Sequence, residues 1–200
     1  MGVSMSLQSA SDQKINELAQ DAKALEQFIR AGGREESANG DALRAILANG
    51  SSLNPQMKGL FDMFSGLKDS QNLSPSLDLG KSQHGLHYLF SGSPYGGREP
   101  QCFLMHGGRV IGKYRGESEV RAITSSQLAA FAHEIQPIDD EELARRYNGK
   151  AMVAADIYPT ALWSDDNPSG LAHLCGKLKD LKRFLKCAID LNEGMIMWIT

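Results

Sequence analysis

The chain of 200 residues predicts a single α+β domain, helix-rich with a small, partly antiparallel sheet. Three observations lead to that class. Apolar residues recur at steps of three and four over long stretches near both ends, the signature of amphipathic helices. Short apolar runs stand apart from them, the last being Met195-Ile196-Met197-Trp198-Ile199. Between the two lies Cys102 to Ile111, two apolar runs separated by Gly107-Gly108, which reads as a β-hairpin.

Taken in order, the elements begin with a short strand or extended arm at Met1 to Leu7. A helix is expected from Ser11 to Arg30, with Ile15, Leu18, Ala22, Leu25 and Ile29 on one face and Gly32-Gly33 as its stop. Residues 31–72 read as a divergent or inserted helical segment. Within it, Asp41 caps a helix carrying Leu43, Ile46 and Leu47, and Asn54-Pro55 opens another carrying Met57, Leu60, Phe61 and Phe64. Lys68 to Leu79 reads as a polar linker, and Gly85 to Phe90 as either a helix end or a strand.

After the hairpin, Thr124-Ser125-Ser126-Gln127 is a capping box ahead of Leu128, Phe131, Ala132 and Ile135. Pro137 ends that helix, and Asp139-Asp140-Glu141-Glu142 starts the next, placing carboxylates at its positive end. Leu143 and Tyr147 face inward, Asn148-Gly149 reads as a C-cap, and Met152 to Ile157 as one more turn. The last long helix runs from Ser169 to Asn192 on Leu171, Leu174, Leu178, Leu181, Leu185, Ala188 and Ile189, with Gly194 ending it.

Composition narrows the function classes. Lys+Arg 21 against Asp+Glu 24 gives a net charge of −3, which excludes a globally basic nucleic-acid binder. No apolar run reaches the ~20 residues of a membrane span. Three cysteines, an odd number without a Cys-x-x-Cys pair, fit free thiols in a reducing compartment, and the N-terminus has no secretion signal. The expected address is cytoplasmic.

His84 and His87 lie three apart, a spacing that places two imidazoles on one helical face, or on opposite faces of a strand. Zinc needs three or four ligands at fixed geometry; His106 could be a third and Cys102 a fourth, but nothing in the spacing demands it, so neither a metal nor another cofactor is expected. A ligand pocket would gather His84, His87, Tyr158 and Arg121. Lys179, Lys182, Arg183 and Lys186 form one stripe on the last helix, which serves either as a solvated face or as a docking strip for an acidic partner. Trp163, in a loop with Tyr158-Pro159, reads either as core or as an interface anchor.

The order of motifs resembles the YfbM-like family, bacterial cytoplasmic proteins forming a domain of unknown function. The likeness rests on Leu77-Asp78-Leu79-Gly80-Lys81, His84-Gly85-Leu86-His87-Tyr88-Leu89, the Gly107-Gly108 segment, Ile157-Tyr158-Pro159 with Trp163, and the Leu-Lys helix before the last strand. It is good from Leu77 to Thr200 and looser over Met1 to Arg30. Where the family tends to have Lys-x-Trp, this chain has Lys81-Ser82-Gln83. The resemblance implies an α+β fold and a cytoplasmic address and transfers no catalytic residue.

Without a catalytic constellation, the expected function is non-catalytic protein binding, most concretely an immunity protein that covers a bacterial toxin's active site. The alternative is a small enzyme or ligand-binding domain built on the His/Tyr/Arg pocket.

Overall fold

The first and last strands of the chain are neighbours in the sheet, so everything between them must leave the sheet and return. The computed structural model describes residues 4–31, 74–115, 118–164 and 169–200. The helices expected within 31–72 lie, apart from Ala31, outside the described residues.

Strand β1 (Met5–Ala10) pairs along its length with β5 (Gly194–Ile199), from Met5 opposite Ile199 to Ala10 opposite Gly194. Strand β2 (Ser76–Gly80) flanks β1, β4 (Ser118–Ile123) flanks β5, and β3 (Arg109–Tyr114) closes the other edge. The order is β2-β1-β5-β4-β3, with every pairing antiparallel rather than only some.

Alternation sorts the strand residues onto two faces. Met5, Leu7, Leu79, Ile123, Met195 and Met197 join the larger core cluster. Ala10, Ile111, Tyr114, Val120, Ala122, Ile196 and Trp198 join the smaller one. The smaller face is covered by α1 (Asp12–Leu18) and α2 (Ala22–Arg30) through Ile15, Leu18, Leu25, Phe28 and Ile29. The larger face is covered by α3 (Gln83–Ser91), α4 (Ser125–Ile135), α5 (Asp140–Arg146), α6 (Gly149–Ala154) and α7 (Gly170–Asp190). Seven helices and five strands among the described residues make an α+β domain.

Four sequence expectations are corrected. The expected helix 11–30 is two helices, because Asp21 accepts hydrogen bonds from the Lys23 and Ala24 amides and so caps a new one. The segment expected as a linker to Leu79 contains β2, with Leu79 fully buried. The hairpin is real but shifted: Cys102 to His106 is a run of turns, and the paired strands are β3 and β4. Gly107-Gly108 is not its turn. A Cβ on Gly108, at φ +78°, would lie 2.4 Å from the Ala122 carbonyl oxygen, so the residue is a glycine for close approach to β4. Finally, Asn148 is an N-cap, accepting from the Ala151 amide to start α6.

Other expectations hold. Residues 85–90 resolve as helix, inside α3. Thr124 and Gln127 form the capping box of α4, and Asp12 of α1 accepts from both the amide and the hydroxyl of Ser125 in that helix's first turn. Helix α7, ending at Asp190, is closed by Asn192 rather than by the expected Gly194. Asn192 takes φ 54°, its amide reaches the Ile189 carbonyl and the Glu193 amide reaches Ala188, which is a Schellman closure.

Candidate functional site

Helix α3 carries the His-Gly-Leu-His segment, and its residues from Gln83 to His87 are all buried. His84 joins two loops. Its Nδ1 accepts from the Tyr158 amide at 2.9 Å, and its Nε2–H therefore donates to the Pro94 carbonyl at 2.8 Å. The Tyr95 ring stands 5.1 Å from the imidazole. Burial lowers the His84 pKa, and the Pro94 carbonyl and Asp156 only partly oppose that. The ring is a neutral cross-link whose two nitrogens are both engaged.

His87 is fully buried, with Nε2 3.3 Å from the Ser91 hydroxyl and Nδ1 without a hydrogen-bond partner among the described residues. The exposed His106 presents its ring edgewise at 6.1 Å. Burial first, then the nearby charges of His106 and His84, push the His87 pKa down to about 4. Arg121 points toward the same corner. Its Nε donates to the Gly107 carbonyl, Nη2 to the His106 carbonyl, and Nη1 to Glu119. The structure thus joins His84 to the Tyr158 amide and sets His87 by His106, whose carbonyl Arg121 holds. The guanidinium holds the 106–107 turn, and Tyr158 contributes its backbone amide.

Trp163 is 1% exposed, which corrects its reading as an exposed anchor. The indole Nε1–H donates to the Ile157 carbonyl at 2.9 Å. A Cβ on Gly85 would come within 3.0 Å of the ring, so the glycine of the histidine segment makes the seat for this tryptophan. The sequence motif is a packing motif: His84 ties loops, Gly85 admits the indole, and Leu86 fills the core.

The cationic stripe lies on the outer side of α7. Lys179 meets Asp140 at 2.6 Å, Arg183 meets Asp180 at 3.3 Å, and Lys186 meets Asp190 at 3.0 Å. Those carboxylates raise the pKa of Lys179 and Lys186, so both stay charged. Lys182 differs. Its ammonium donates to the Gln136 and Ile138 carbonyls just past the end of α4. Between α4 and α7 lies a depression of about 550 Å³ lined by Ala132, Ile135, Gln136, Lys182, Arg183, Leu185, Lys186 and Ile189. Ile189, expected in the inward stripe, is 41% exposed. Sequence reading missed this depression because Ala132, Ile135 and Leu185 carry the periodicity of core residues. The available signal was that cations flank Leu185 on both sides.

Among the described residues no three His, Cys, Asp or Glu are placed to hold a metal ion, and no helix is long and apolar enough to cross a membrane.

A family model described as a domain of unknown function, DUF1877, matches residues 1–198. The chain is also similar in fold to a solved structure of YfbM from Escherichia coli, itself a protein of unknown function. The TM-score is 0.61 at 15% identity, over 98% of this chain and 99% of that one. Comparison with curated proteins gives no match.

Proposed function

The chain belongs to this family of unknown function, and we propose that it is a non-catalytic protein-binding domain, most concretely an immunity protein that neutralises a bacterial toxin by covering its active site. The observation that carries the reading is the outer face of α7, where Lys182, Arg183 and Lys186 border an apolar depression on a chain of net charge −3. A cationic strip on a weakly acidic molecule orients an approaching acidic surface and raises the rate of productive encounter. The histidine corner supports the same reading by its chemistry. His84 has both nitrogens engaged, His87 is buried and neutral, and Arg121 holds backbone carbonyls. The one ring nitrogen left unpartnered among them, Nδ1 of His87, is buried away from the surface. A cytoplasmic setting belongs to this proposal and fits three free thiols.

The test is neutralisation. Bacteria expressing the product of the reading frame adjacent to this chain's gene should stop growing, and co-expression of the chain should restore growth. Growth arrest that the chain does not relieve would count against the reading. So would relief by a variant whose α7 cations are reversed.

A further inference from the structure

Resting on the protein-binding reading above, we propose that the depression between α4 and α7 receives an acidic amphipathic helix of the partner. The apolar surface of the depression comes chiefly from Ile189, 41% exposed, and half-buried Ala132, lying over the buried Ile135 and Leu185. Leu185 and Ile189 stand one turn apart on α7, as Ala132 and Ile135 do on α4. The floor is therefore a strip running between two helices, the geometry that takes a third helix by its apolar face. Aliphatic side chains at i, i+3 or i+4 and i+7 would fill it.

Charge selects the helix. Among the described residues, Lys182, Arg183 and Lys186 line the depression and no carboxylate does. The Lys182 ammonium is held by two carbonyl oxygens, and Lys182 also lines a neighbouring depression with Asp139, Asp140 and Glu141. Arg183 and Lys186 each meet an aspartate of α7 itself, in pairs whose side chains are 75% and 41%, and 78% and 62%, exposed. Exposed pairs of this kind are worth little, so a partner's glutamates can replace Asp180 and Asp190 at small cost. A basic helix would place like charges against all three cations. A nucleic acid would satisfy the cations and leave the aliphatic floor uncovered.

Three fluorescent synthetic peptides of about 18 residues, five helical turns, test the assignment. The first carries Leu at i, i+3 or i+4 and i+7 with Glu on the remaining face, the second replaces Glu by Lys, and the third scrambles the first. In anisotropy titrations the acidic amphipathic peptide should bind at least about tenfold more tightly than the other two. The double variant Arg183→Glu/Lys186→Glu, and separately Ile189→Asp, should each lose roughly fivefold or more while melting as the parent does. Equal binding of all three peptides would overturn the proposal, as would indifference to both variants. If the acidic peptide shows no preference while the chain still relieves toxicity, the groove assignment falls and the immunity reading stands. If the peptide binds as expected and toxicity is not relieved, the groove stands and the immunity reading falls.

Discussion

Protonating His84 would set a new N–H against the Tyr158 amide that its Nδ1 accepts, so its neutral, Nε2-protonated form is fixed by geometry. Nitrogen NMR should show a bare Nδ1 and a protonated Nε2 for His84 at neutral pH; the opposite tautomer would mean that the two loops are not tied through this ring. His87 makes the thermodynamic counterpart. Its pKa is about 4 in the folded state against an ordinary 6.5, so the unfolded chain takes up a proton that the folded chain refuses. Stability from this group is complete above pH ~6.5 and is lost as pH falls toward ~4, by on the order of 3 kcal/mol. His84, lowered in the same direction, adds to the loss. Denaturant melts from pH 7 to 4 should therefore fall more steeply for the parent than for His87→Gln, and parallel curves would refute the burial of the neutral ring. Trp163→Ala should cost about 3–5 kcal/mol, since it empties a fully buried indole site and strands the Ile157 carbonyl. A loss below about 1 kcal/mol would return Trp163 to the surface. At this scale the sequence named residues whose roles it left undecided. Tryptophan is at home in cores and interfaces alike, and only the Gly85 seat 78 positions upstream decides between them.

Helix α7 is the element whose periodicity was most legible, and its central Leu181 is fully buried. Leu181→Ala should cost roughly 2–5 kcal/mol in denaturant melts, and a change below about 1 kcal/mol would show that α7 does not pack on the sheet there. The capping box of α4 was equally plain, because both partners lie within four residues. Expectations failed where a long-range contact used a residue that also serves in turns. Gly107-Gly108 has the composition of a hairpin turn, yet Gly108 is required by the Ala122 carbonyl 2.4 Å from where its Cβ would lie. Gly108→Ala should accordingly destabilise by more than about 1 kcal/mol through both the positive φ and the clash. Asp21 broke the first helix by outcompeting the backbone for two amides, while Ile15, Leu18, Leu25 and Ile29 kept one face across the break. A periodicity that survives an interruption hides it.

Across the whole molecule, the antiparallel sheet places both chain ends at its middle, and the helices on its larger face leave α7 with an outer side turned to solvent. Fold class was legible because apolar spacing alone decides which elements form. The candidate site was legible only in its cations. Its apolar lining comes from two helices, and no local pattern marks Ala132, Ile135, Leu185 and Ile189 as neighbours around one depression. Charge reversal belongs at Arg183 and Lys186 rather than at Lys182, whose ammonium holds carbonyls beyond α4 and whose loss would disturb folding as well as binding. The most direct measurement is the association rate between the chain and the protein whose toxicity it relieves, followed across salt concentrations. For the parent, the rate should be highest at low salt and fall as salt screens the α7 cations, while Arg183→Glu/Lys186→Glu associates at least about tenfold more slowly at low salt with an unchanged melting temperature. Equal rates for the two chains at every salt concentration would contradict a binding role for this face of α7.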